Sequence, residues 1–153
     1  VNADEQVLPA ALAALAEKHR VRLADFTTAA RFAPGDLVFR ENDPATRCWL
    51  LHTGSVSLTT VVPGRGTISL ETLHGGDILG WSWLGANPRW QFTAHATEAT
   101  DATELDVIAL QATAADEPAF TYAVTRALSE VLIARLHSTR ARLLDLYAGR
   151  REE

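Results

Sequence analysis

A chain of 153 residues with 47% apolar side chains is long enough for one domain to bury its own core without metal or disulfide staples. Cys48 is the single cysteine, which excludes an internal disulfide framework, and no apolar run approaches the roughly 18 residues of a membrane span. The net charge of -5 argues against generic polyanion binding, so a cytoplasmic protein with no membrane association is expected.

The chain starts on a polar, acidic stretch, Val1 to Gln6, without the basic flank and apolar run of a signal peptide. A helical lead-in is predicted over residues 1–27: Leu8 to His19 are alanine-rich, Leu12 and Leu15 stand at helical spacing, and Leu23 and Phe26 continue the apolar face. Over residues 28–110 the pattern becomes short apolar alternations broken by turn signals at Pro34-Gly35-Asp36, Asn42-Asp43-Pro44, Thr53-Gly54, Pro63-Gly64-Arg65-Gly66 and Gly75-Gly76-Asp77. Val56, Leu58, Thr60 and Val62 share one face of a strand, and Ile68, Leu70 and Thr72 are expected to pair with it across the Pro63 hairpin.

Residues 116–148 are nearly all good helix formers, with Asp116 and Glu117 placed as cap and first-turn acids. In that last helix Leu132, Leu136, Thr139, Leu143 and Leu146 recur at spacings of 4, 3, 4 and 3, which is a heptad seam. Such a seam predicts a homodimer joined through the helix. The competing use is packing on the protein's own sheet, for which Leu128, Val131 and Leu144 would widen the stripe.

The segment Gly75-Gly76-Asp77-Ile78-Leu79-Gly80-Trp81-Ser82-Trp83-Leu84, closed by Pro88-Arg89-Trp90, has the layout of a phosphate-binding turn. Its glycines permit tight turning and close approach to a ligand, and the residues after Gly80 can start a short helix with amides facing an anion. Tryptophans stand where charged side chains would complete such a site.

Together with Phe32-Ala33-Pro34-Gly35-Asp36-Leu37-Val38-Phe39, Arg40-Glu41-Asn42-Asp43, Trp49-Leu50-Leu51-His52-Thr53-Gly54-Ser55-Val56 and Leu73-His74-Gly75-Gly76-Asp77-Ile78-Leu79-Gly80, the chain resembles a cyclic nucleotide-binding domain of the catabolite activator (cyclic-AMP receptor) superfamily. The resemblance covers nearly the whole length. It implies a mainly β fold with flanking helices: an eight-stranded antiparallel β-roll, or jelly roll, with an N-terminal helix and a long C-terminal helix acting as lid and dimer seam.

In that family the cassette continues from the glycine with a glutamate for the ribose hydroxyl and ends with an arginine for the cyclic phosphate. Here Trp81 takes the first position, and counting ten residues from Gly80 puts Trp90 at the second. Arg89, one place earlier, faces the opposite side of an extended segment unless a bulge after Pro88 turns it back. Each lost charge-assisted contact costs about 2–5 kcal/mol, so standard cyclic-AMP binding is not expected. Three repairs remain open: amides after Gly80 with the Ser82 hydroxyl hold a phosphate, Trp81 or Trp83 stacks on a base, or Thr139 and Arg140 meet a purine. In the rival reading Trp81, Trp83, Trp90 and Phe92 fill the vacated pocket. The pocket candidates are therefore Leu79, Gly80, Trp81, Ser82, Trp83, Leu84, Arg89, Trp90, Gln91, Thr139 and Arg140, for cyclic AMP or cyclic GMP with weak or altered affinity. Replacing Trp81 with Glu and Trp90 with Arg is expected to restore cyclic-AMP affinity.

His19, His52, His74, His95 and His137 form no metal-ligand spacing, no nucleophile or Walker motif occurs, and no metal or enzymatic activity is expected. Arg126, Arg135, Arg140, Arg142, Arg150 and Arg151 read as a solvated helix face, and DNA binding by this chain is not expected without a recognition helix. The functional expectation is a ligand-sensing regulatory domain. Its alternatives are a ligand-free scaffold module with an unknown protein partner, or the sensor half of a truncated transcription regulator.

Overall fold

The computed structural model describes residues 9–149; the expectations for Val1 to Leu8, Arg150 and Arg151 lie outside them. The lead-in is two short helices, α1 (Ala10–Ala13) and α2 (Glu17–Ala24), separated by a break at residues 14–16. Eight strands follow: β1 (Thr27–Phe32), β2 (Leu37–Phe39), β3 (Arg47–Thr53), β4 (Ser55–Val62), β5 (Gly66–His74), β6 (Ile78–Leu79), β7 (Thr93–Ala96) and β8 (Thr100–Asp106). Helices α3 (Val107–Ala112) and α4 (Pro118–Gly149) complete the order.

The strands form two four-stranded antiparallel sheets, ordered β1-β8-β3-β6 and β2-β7-β4-β5. This is the eight-stranded roll with flanking helices that the family resemblance implied. The β4–β5 hairpin forms as expected, with Thr60 opposite Ile68 and Ser57 opposite Thr72. Its register shifts where Leu58 faces Glu71 and Thr59 faces Ser69, leaving Leu70 as the extra residue of a bulge. Leu70 is consequently half exposed and turned toward the side where α4 lies.

Two boundaries depart from the sequence reading. Strand β8 ends at Asp106, four residues short of residue 110, because its carboxylate Oδ1 accepts a hydrogen bond from the Ala109 amide at 3.0 Å and starts α3. Glu117 precedes α4, but its carboxylate accepts hydrogen bonds from Arg22 at 2.8 and 3.1 Å instead of closing the helix end. The bond from Arg22 holds the Glu117 carboxyl below its ordinary range. The same guanidinium lies 4.8 Å from the Phe26 ring centre, so one side chain joins α2 to the start of α4.

The core lies between the sheets and under α4, around Leu51, Val56, Leu73, Leu79, Val107, Leu110 and Val124. At one end, the rings of Phe39 and Trp90 stack with centres 4.0 Å apart, and Trp49 lies 5.7 and 5.9 Å from them. Cys48 belongs to the core, where burial pushes its thiol up to about 12 and keeps it protonated and unreactive at neutral pH.

Candidate ligand-binding site

Strand β5 runs into the Gly75-Gly76 turn, which is tied by the Asp77 carboxylate accepting from the His74 amide at 2.9 Å. Ile78 and Leu79 then pair with Leu50 and Trp49 of β3, which fixes where Gly80 emerges. Gly80 has a φ of +85°, and a Cβ there would stand 2.9 Å from the Trp90 ring and 3.3 Å from the Arg47 carbonyl. Only glycine meets both demands, so the backbone is pressed against Trp90 as it turns outward. Trp81 and a single 3-10 turn, Ser82–Leu84, follow.

The turn after Gly80 separates the tryptophans. Ser82 and Trp81 stay with the surface, whereas Trp83 turns inward beside Cys48, Leu128 and Leu132 at the base of α4, with Leu84 at the edge of the same contact. Across from them, residues 88–90 run alongside residues 42–45: Ala45 donates to the Pro88 carbonyl at 2.7 Å, Trp90 to Asp43 at 3.0 Å, and Asn42 to Trp90 at 2.9 Å. Arg89 points away and donates from Nη1 to the Asn42 carbonyl at 2.8 Å. Trp90, 5% exposed, points in, and Gln91 faces the space over Gly80.

Arg89 keeps to the opposite side, with no bulge to turn it back, and is spent on the Asn42 carbonyl. Trp90 and Gln91 both border the space over Gly80, Trp90 as a buried ring of the aromatic cluster and Gln91 as an exposed side chain. The expectation that four rings fill the pocket describes two of them: Trp83 and Trp90 are buried, while Trp81 and Phe92 stay 38% and 39% exposed.

The space directly over Gly80 is small, about 80 Å³, and is bordered by Leu79, Ser82, Trp90 and Gln91. It opens into a larger cleft of about 670 Å³ between the roll and α4. Leu58, Leu70, Glu71, Trp81 and Phe92 line one side, and Leu132, Arg135, Leu136, Thr139 and Arg142 the other. Thr139 is thus on the cleft, as the resemblance implied, whereas Arg140 lies on an exposed part of α4 and does not line it.

Arg135 is the side chain that sequence reasoning misplaced. Assigned to a solvated face, it is only 17% exposed, and its guanidinium forms ion pairs with Glu71 of β5 and, at 3.1 Å, with Asp77 of the turn. It also lies 5.7 Å from the Trp81 ring centre. The buried Nη1 group is attracted to Asp77 but makes no hydrogen bond. Leu132, Arg135, Thr139 and Arg142 recur at spacings of 3, 4 and 3, which is the signal that they share a face. Arg126, by contrast, is exposed beside Glu130.

Residues 29–117, more than half of the chain and the whole roll beyond the first strand residues, match the cyclic nucleotide-binding domain family. The chain belongs to this family. Solved structures agree on the fold. A cyclic nucleotide-binding domain from Methylobacillus flagellatus superposes with a TM-score of 0.73 at 22% identity, covering 85% of this chain and 73% of that one. The N-terminal domain of a transcriptional regulator from Streptomyces coelicolor gives 0.66 at 24% identity, covering 87% and 91%. The catabolite activator protein of Thermus thermophilus gives 0.66 at 22%, covering 90% of this chain but 62% of its own length. At these identities the likeness establishes the fold alone. No curated protein matches the chain by sequence.

Among the described residues, no group of three or more His, Cys, Asp or Glu side chains is arranged to hold a metal, and no helix is long and apolar enough to cross a membrane. His52 is engaged instead by Thr103, 2.7 Å from its Nε2.

Proposed function

We propose that this member of the cyclic nucleotide-binding family is a non-enzymatic, ligand-sensing regulatory domain that does not take cyclic AMP in the family's standard way and reports occupancy of its cleft through α4. The observation that carries this reading is Arg135. One guanidinium from α4 lies on Glu71 and Asp77 of the roll and beside Trp81, so any ligand entering the cleft meets the contact that holds the helix. A ligand that binds better with that contact broken than with it made would shift the balance between a held and a released helix.

The same helix supplies the dimer seam. Leu132 packs toward the roll, but Leu136, Leu143 and Leu146 are 48%, 50% and 67% exposed among the described residues. Pairing with a second copy would bury them, as the heptad spacing requires. The scaffold reading draws support from one observation, the small volume left over Gly80 once Trp90 and Gln91 are in place.

Hydrogen exchange on Arg135→Ala tests the coupling. Removing the guanidinium leaves Glu71 and Asp77 without their cation, a cost of about 1–3 kcal/mol for a pair that water partly reaches. Amides of α4 from Leu132 onward are expected to exchange about tenfold faster or more, with the roll unchanged. Equal exchange in both proteins would remove Arg135 as the link between cleft and helix.

A further inference from the structure

We infer that the cleft between the roll and α4 takes a small apolar monocarboxylate, with its body among the leucines and open rings of the cleft and its carboxylate on Arg142 and Thr139. The inference rests on the sensing role proposed above and names the ligand class of that site.

Most of the cleft wall is apolar: Leu58, Leu70, Trp81 and Phe92 come from the roll, Leu132 and Leu136 from α4. Leu70 is there because the bulge in β5 takes it out of regular pairing and aims it toward the helix. Trp81 and Phe92 keep more than a third of their surface open at this wall, although their neighbours Trp83 and Trp90 are buried. The cleft's volume of about 670 Å³ lies within the usual range for small-molecule sites. Apolar surface gathered in such a cleft suits an apolar body that covers it.

The polar groups divide into those already engaged and those left free. Arg135 is paired with Glu71 and Asp77, and Asp77 also accepts from the His74 amide, so this inner end carries two carboxylates to one guanidinium. Arg142 and Thr139 border the same cleft, and neither has an ion-pair or hydrogen-bond partner among the described residues. They stand one helical turn apart on one face of α4, and Arg142 lies two turns beyond Arg135, about 10 Å along the axis. An anionic head is therefore directed away from the inner carboxylates and toward the mouth, where Arg142 is exposed and salt screens most of their repulsion. A guanidinium fork meets a carboxylate with two parallel N–H donors, and the Thr139 hydroxyl adds a third. One free guanidinium balances one charge, which fits a carboxylate better than a phosphate monoester carrying about -1.5 to -2 at neutral pH.

Acids compared with their own uncharged amides separate the head group from the body. Naphthoate against naphthamide, and octanoate against octanamide, would be titrated calorimetrically into the full chain, into Arg142→Gln and into Arg126→Gln, which removes an exposed arginine of α4 that does not border the cleft. At least one acid is expected to bind with a Kd about tenfold or more below that of its amide, naphthoate if the open rings set the body and octanoate if the leucines do. Arg142→Gln should abolish that preference with an unchanged melting curve, and Arg126→Gln should keep it. An acid and amide that bind equally overturn the inference. A preference that survives Arg142→Gln overturns it by placing the carboxylate elsewhere, and one lost in both variants overturns it by showing attraction to the helix's general charge. Failure of both acids at millimolar concentration also overturns it. In each of these cases the sensing role is decided separately by the exchange of α4 in Arg135→Ala.

Discussion

Trp90→Ala should lose about 3–5 kcal/mol of unfolding free energy, the range for removing a large buried ring. The ring is 5% exposed, stacks on Phe39 at 4.0 Å, touches Trp49, and closes against the backbone of Gly80, so its loss opens a cavity on three sides. Chemical denaturation with the tryptophan signal of Trp49 and Trp83 as the readout measures the shift. Trp90→Arg should be worse, because it also places an unpaired charge among Phe39, Leu58 and Leu73. The exchange of Trp81 for Glu and Trp90 for Arg is therefore expected to carry a large stability cost alongside any gain in cyclic-AMP affinity. A Trp90→Ala protein within about 1 kcal/mol of the parent would mean the ring is not part of the core.

The exchange Trp81→Glu with Gln91→Arg spares the core. Both positions face the space around Gly80, and Trp81 and Gln91 are surface side chains, so both substitutions can be made without opening the core. In the family's cassette a glutamate after the glycine and an arginine at its end hold the ribose and the cyclic phosphate. Each charge-assisted contact is worth about 2–5 kcal/mol when well buried. Even at half that value, the pair should raise cyclic-AMP affinity about thirtyfold or more, at roughly 1.4 kcal/mol per tenfold. Gln91→Arg alone should give a smaller gain. Isothermal titration of the double variant measures it; a folded double variant with no gain would place the cassette's second position elsewhere than Gln91.

The difference between the two exchanges marks where sequence reasoning reaches its limit. Glycines and Gly-Asp turns in a fixed order, the Val56 to Val62 alternation and the late switch to helical composition are local signals, and the roll and α4 follow from them. Which way a side chain faces in residues 88–91 depends on pairing with residues 42–45, almost fifty positions away, and an error of one residue exchanges inside for outside. Arg135 fails to show for a similar reason. Its partners Glu71 and Asp77 are about sixty residues earlier, and a stripe of arginines on a helix looks solvated until the sheet beneath it is placed. Leu70 was assigned to regular pairing, and only the bulge between Leu58 and Thr59 reveals why it turns toward the cleft.

Native mass spectrometry of the purified chain with excess cyclic AMP tests the central claim most directly, because it reads the assembly and its ligand together. The account predicts a dimer, joined through the exposed leucines of α4, that retains no cyclic AMP at concentrations saturating a standard family member. A dimer carrying one tightly held cyclic AMP per protomer would contradict it, since Trp81 and Gln91 offer neither the carboxylate nor the guanidinium of the standard cassette.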